Sequence, residues 1–293
     1  NDMDGIIIIN KSKNCTSHDI VYKVKKLYNQ KVGHTGTLDP LATGVLPILI
    51  GKGTQCAKYL TNHDKTYEAQ IQLGQKTNTA DAEGKIIDEK PVLSEAFSEE
   101  KVSLILKSFL GEQKQIPPIY SAIKVNGKKL YEYARKGEKI EIQPRKIKIY
   151  DIKLLHIDKI QNTIDFEVSC SKGTYIRSLC EDLAKKLGTI GYMSGLKRTR
   201  VGEFYIKDAI TLDELEKNKD NIEFLKSHFL TIEEMFNKND SICLSNKKLT
   251  LFLNGVQLTN YLKDGLYRIY NMDNKFIGTG VIKNNLLKRD IVI

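Results

Sequence analysis

"HTGTLDPLATG", residues 34–44, sets one carboxylate, Asp39, directly before Pro40 and between Leu38 and Leu41, with glycines at 36 and 44. Two readings stand open for it. Asp is a favoured helix N-cap and proline a favoured first helical residue, so DPLATG can open a short helix. Equally, leucines on both sides can place the acid in an apolar pocket, where nearby glycines allow unusual turns and close approach of a ligand. A phosphate-binding loop is excluded, because the Walker spacing fails: Gly44 lies seven before Gly51, and Gly53 follows Lys52. No GxGxxG opens a helix after a strand either.

Working outward, "GIIIIN" (5–10) reads as a buried strand, and 17–29 places Ile20, Val21, Val24, Leu27 and Tyr28 on one helical face with Ser17 as cap. A short helix is expected over 54–60. "YEAQIQLG" (67–74) alternates apolar and polar residues with the period of a half-buried strand. Residues 98–111 carry a helix signal from Ser98 to Gly111. Next come a strand, an Asn126-Gly127 turn and a short basic helix, then strands near 147–158 and 163–171, a helix over 175–187 and strands over 193–206. Helices scattered among antiparallel-looking strands predict an α+β fold with a mixed, mainly antiparallel sheet. The polar segment 213–240 shows little periodicity and reads as a link to a small β-rich unit, 241–293. Two domains are therefore expected, 1–235 and 241–293.

The chain has 293 residues, 41% hydrophobic and 28% charged, as in globular proteins and unlike disordered ones. No apolar run is long enough to span a bilayer. No basic, apolar leader pattern opens the chain, so a cytoplasmic protein is expected. Five scattered cysteines without a CxxC pair argue against a disulfide framework and a thiolate zinc site. His18, His34, His63, His156 and His228 show no ligand spacing, so neither metal nor cofactor is expected.

A net charge of +10 favours a polyanionic partner. Residues 124–148 hold nine Lys/Arg against three Glu, with Tyr131 and Tyr133 among them. Basic groups neutralise phosphates while aromatics stack on unpaired bases, which suits folded or single-stranded RNA. A solvated charged face is the competing reading. In "CSKGTYIRSLCEDL" (170–183), Arg177 can hold a carboxylate bidentately and Tyr175 offers a planar face with a polar tip. Taken alone, Tyr67 and Tyr175 read as core residues and Arg177 as a surface charge.

Taken together, "GHTGTLDPLATGVLPI", "KTYEAQIQLGQKTNTADAEG", "IPPIYSAIKVNGKKLYEYARKG", "CSKGTYIRSL" and "LKRTRVGEF" resemble, in order and spacing, the TruB-type tRNA pseudouridine synthases. The resemblance covers roughly residues 4–210, with a weaker echo of a PUA-type RNA-binding module in the tail. It implies the pseudouridine synthase fold and isomerisation of uridine 55 in the tRNA T-loop, without a cofactor. It also implies that Asp39 is the nucleophile, that Tyr67 stacks on the target base and acts near the proton removed from C5, and that Tyr175 and Arg177 pack on the nucleoside and ion-pair the aspartate. His34, Asp81 and Leu196 would contact the extruded nucleotide or wall its pocket. Lys124, Lys128, Lys129, Arg135, Arg198 and Arg200 would meet the RNA backbone. A monomer acting on the T-stem-loop is expected. The competing functions are a non-catalytic tRNA-binding or tRNA-folding protein and a carboxylate-nucleophile hydrolase of sugars or nucleosides.

Overall fold

The computed structural model describes residues 3–293 apart from residues 122 and 139, and the side chain of residue 96 is likewise outside the description. A ten-stranded sheet forms the larger part. Its order is Phe229–Thr231, Gly5–Lys11, Thr43–Ile50, Gly191–Val201, Lys65–Leu73, Thr163–Cys170, Arg145–Asp158 and Gly111–Gln115, with Val32–His34 and Phe204–Tyr205 paired at the side. Pairing is antiparallel except between Thr43–Ile50 and Gly191–Val201, which run parallel at Lys197↔Thr43 and Arg198↔Gly44. The expected α+β class and mainly antiparallel sheet are present.

The isoleucine run explains why the second strand in that order sits inside. Successive side chains of a strand point to opposite faces, so an unbroken apolar run needs cover on both. Ile7 and Ile9 enter a core with the helix Ser17–Tyr28, whereas Ile6 and Ile8 enter another with Phe236 and Ile291. A third core lies under the helices Glu99–Lys107 and Ile176–Lys186 and includes Tyr67, Ile71 and Phe166.

Three local expectations change. The first helix is capped by Thr16, which forms a reciprocal capping box with Asp19. That frees Ser17 for another task. The helix from Ser98 stops at Lys107, because Gly111 starts a strand. Finally, 213–240 is no bare link. It folds into short helices, Leu212–Lys217, Ile222–His228 and Ile232–Met235, around the strand Phe229–Thr231, which pairs Gly5–Ile7 at the sheet edge.

The C-terminal residues form a separate five-stranded sheet with the helix Asn246–Leu253 and a core around Phe252 and Ile269. Its last strand is moored to the larger unit at Asp290. This carboxylate accepts hydrogen bonds from Lys58, from Tyr59 and from Thr279. Burial pushes the Asp290 carboxyl up, but the donors together hold it below the usual carboxylate range.

Candidate active site

Asp39 does not start a helix. The Ala42 amide donates to the Asp39 carbonyl at 2.9 Å, closing a turn with Pro40 at its second position. Leu38 and Leu41 are buried, yet they anchor the turn to different cores: Leu38 packs with Ile7 and Val24, and Leu41 with Tyr67 and Phe166. Asp39 itself stays exposed at the rim. The leucines fix the turn; they do not enclose the acid.

Several groups hold this turn from below. Ser17 Oγ accepts from the Leu38 amide at 3.0 Å and donates to the Leu38 carbonyl at 3.1 Å. Lys11 is wholly inaccessible, and its Nζ donates to the carbonyls of Ser12, Cys15 and Pro40 at 2.9, 2.7 and 3.4 Å. Burial lowers the proton affinity of Lys11, an effect opposed by the charges of Cys15 and Asp39. Arg198, also buried, donates from Nε and Nη2 to the Val45 carbonyl at 2.9 and 2.8 Å and from Nη2 to the Gly36 carbonyl at 2.5 Å. These bonds correct the expectation that Arg198 reaches RNA phosphates: its charge is spent on backbone carbonyls inside the protein. The two glycines of the opening stretch make room for it. A Cβ at Gly44 would lie 2.1 Å from the Arg198 carbonyl oxygen, and one at Gly36 would lie 3.3 Å from both terminal guanidinium nitrogens.

Asp39 opens onto a cavity of about 520 Å³ lined also by Leu38, Tyr67, Tyr120, Tyr131, Tyr175, Ile176, Arg177, Met193 and Leu196. The chain thus brings together Asp39, Tyr67, Tyr175, Arg177 and Leu196 from four segments. Tyr67 is buried on the strand Lys65–Leu73, and burial raises its hydroxyl above the ordinary phenol value despite the opposing Arg198 charge. Tyr175 caps the helix Ile176–Lys186. Gln115 holds its backbone from both sides, accepting from the Tyr175 amide at 2.8 Å and donating to its carbonyl at 2.9 Å.

Arg177 does not make the expected ion pair: no contact to Asp39 within 4.0 Å is among the salt bridges of the described residues. It donates instead to the carbonyls of Thr79 and Tyr120, at 3.3 and 2.9 Å. Those bonds tie the helix start to two loops, one of which lines the cavity at Tyr120.

The other expected residues lie outside its lining. Asp81 is buried and accepts from Thr79 Oγ1 at 2.7 Å and from the Glu83 amide at 3.0 Å, so it shapes the loop that Arg177 grips. Glu83, beside it, is pushed up by burial and by the charges of Asp81 and Asp39. His34 pairs with Ile48 in the sheet, and its buried Nδ1 has no hydrogen-bond partner among the described residues. Burial, His18 and Arg198 together lower its pKa. Arg200 donates to Thr66 Oγ1 and the Gly202 carbonyl and lines a different cavity, with His63 and Glu203.

The helix that follows the Asn126-Gly127 turn reaches the cavity through Tyr131. Lys124, Lys128 and Arg135 are exposed and Lys129 is half-buried. Lys129 and Arg135 flank the Tyr131 ring at 5.5 and 4.8 Å, and Tyr131 reaches the cavity lining.

Sequence reasoning passes over Lys11, Gln115 and Met193, and it reads Ser17 as a helix cap and not as a support of the Asp39 turn. Only Lys11 carries a signal, because it continues the inward phase of Ile7 and Ile9.

Comparison with known proteins bears on the fold and the family. A solved Cbf5-Nop10-Gar1 complex contains a chain with 26% identity and a TM-score of 0.69, covering 99% of this chain and 85% of that one. A chain in an H/ACA RNP bound to a substrate RNA containing 2'-deoxyuridine has 24% identity and a TM-score of 0.68, covering 98% and 84%. The fold is of the pseudouridine synthase type. Residues 24–176 match the N-terminal domain of TruB family pseudouridylate synthases, 177–237 the tRNA pseudouridylate synthase B C-terminal domain, and 241–289 the Pseudouridine synthase II TruB C-terminal model. The tRNA pseudouridine synthase B of Caldanaerobacter subterraneus is 42% identical over 289 residues, with 98% of both chains covered. That of Clostridium novyi is 44% identical over 293 residues, again with 98% of both covered. The chain belongs to the TruB family of pseudouridine synthases.

Proposed function

We propose that this protein isomerises uridine 55 in the T-loop of tRNA to pseudouridine, with Asp39 as nucleophile. One observation carries the reading: Asp39, Tyr67, Tyr175 and Arg177, distant in sequence, line one cavity of a size suited to a single nucleoside. The names of the full-length relatives supply the substrate class.

The chemistry suits these groups. The N1–C1′ bond breaks, the uracil turns, and a C5–C1′ bond forms; N1 gains a proton and C5 loses one, so atoms and electrons balance without a cofactor. A carboxylate nucleophile divides the exchange into two smaller barriers. The target base has to leave its stack, which costs a few kcal/mol, and stacking on Tyr67 and Tyr175 offsets this. Arg177 acts from the cavity wall and pairs with the aspartate once the base is seated. His34, Asp81 and Leu196 shape the surroundings of that base. Lys124, Lys128, Lys129 and Arg135 bind RNA phosphates, and Arg200 does so at the neighbouring cavity. In this reading residues 1–235 form the catalytic domain and 241–293 a short PUA-like RNA-binding domain. The protein works as a cytoplasmic monomer on the T-stem-loop.

The test is conversion of uridine in an unmodified tRNA transcript by wild type and Asp39→Asn, with binding measured in parallel. Conversion by wild type alone, at equal binding, supports Asp39 as nucleophile. Binding by both without conversion would leave a tRNA-binding or tRNA-folding protein instead.

A further inference from the structure

We propose that Arg198 is a positioning residue for the isomerisation, a clamp that fixes the Asp39 turn and aims the Tyr67 hydroxyl into the cavity. The proposal rests on the reading of the cavity given above.

Its first half follows from hydrogen bonding. The Gly36 and Val45 carbonyls bracket the stretch that contains Asp39, and a single guanidinium serves both. The planar fork of an Arg holds two acceptors at a set separation, which a flexible ammonium does not. Its strand reinforces the hold, because Arg198 lies directly opposite Gly44, the last residue of the stretch, in the parallel pairing.

The second half follows from register. Arg198 is also directly opposite Tyr67 across the antiparallel pair, so the two side chains are neighbours on one face. The guanidinium and the Tyr67 ring share this face of the sheet, and Tyr67 reaches on into the cavity lining. A guanidinium has donors and no acceptor, so a phenol beside it can meet it only with an oxygen lone pair. The O–H of Tyr67 is thereby left to point elsewhere, and the cavity is the open side. Burial keeps that phenol protonated. Tyr67 therefore meets an incoming base as a hydrogen-bond donor, and Asp39 meets it on a turn that cannot drift. One side chain sets the relation between the two.

The test compares single-turnover conversion and tRNA binding for wild type, Arg198→Lys, Arg198→Met and Gly36→Ala. Misplacement by about 1 Å can cost on the order of a hundredfold in rate. The expected losses are about tenfold for Arg198→Lys and about a hundredfold for Arg198→Met, with tRNA affinity within about twofold of wild type in both. Placed in a Tyr67→Phe background, Arg198→Lys should cost several-fold less, because part of its action runs through a hydroxyl that is no longer there. Gly36→Ala keeps Arg198 but crowds the guanidinium at a backbone φ of +64°, so it should slow conversion while leaving binding intact, even if Arg198→Met does not fold. Weakened tRNA binding with an intact rate would overturn the proposal in favour of a phosphate contact. Equal fractional losses in the two Tyr67 backgrounds, or a fully active Gly36→Ala, would also overturn it. Failure of the wild type to convert uridine would instead strike the reading of the cavity.

Discussion

Two basic stretches, "KVNGKKLYEYARKG" and "LKRTRVG", look alike in sequence, yet Arg198 of the second is used in the opposite way to the cations of the first. In the first, Lys124, Lys128 and Arg135 stand in solvent with tyrosines between them. In the second, Arg198 is only 1% exposed and satisfies backbone carbonyls. A solvated cation can be lent to a phosphate at little cost to folding. A buried one is held in place by the high cost of leaving it, and the acceptors around it, without partners. Charge alone therefore does not say whether a basic residue faces RNA. What decides is whether its neighbours in the fold are water or carbonyl oxygens.

The largest expected break in this contrast is in stability. Arg198→Met strands the Gly36 and Val45 carbonyls, which should cost about 2–4 kcal/mol by urea denaturation. Lys128→Gln should fall within about 0.5 kcal/mol of wild type. Affinity should separate the stretches in the other direction. Replacing Lys124, Lys128, Lys129 and Arg135 by Gln should weaken tRNA binding at least about tenfold. The same change should flatten its salt dependence by about 0.7–0.9 in log–log slope for each phosphate that is no longer neutralised. Arg198→Lys should leave that slope unchanged.

The smallest effect concerns His34. Its folded pKa is lowered by burial, with His18 and Arg198 adding to it. The stability linked to the neutral ring is therefore present above the unfolded value of about 6.5 and is lost as pH falls through the lower folded value. Removing the Arg198 charge should move the His34 titration upward, read by NMR of the ring protons. An unmoved His34 in a folded Arg198→Met protein would mean that the buried charge is not felt there.

Much of the fold is legible in the sequence, for a local reason. The alternation of residues 67–73, the helical face of 17–28 and the Asn126-Gly127 turn are encoded within a few neighbouring residues. Phe229–Thr231 escapes such reading because three residues carry no period; it becomes a strand only where Gly5–Ile7 offers an open edge. The joint placement of Asp39, Tyr67, Tyr175 and Arg177 is implied by family resemblance, not by spacing. Ser17 shows the limit clearly. Its sequence position suits a cap, but Thr16 caps better, and Ser17 is left to hold Leu38.

The sequence by itself determined the α+β character, the family and the residues proposed to carry the chemistry, because periodicity and motifs are properties of neighbours along the chain. Tertiary structure decided what those residues do for one another. It set Asp39 on an exposed turn, turned Arg177 to two loop carbonyls, and buried Arg198 between Gly36, Val45 and Tyr67. The reason is physical: desolvation and hydrogen-bond satisfaction are fixed by groups far apart in the chain, which only the folded sheet brings within 3 Å.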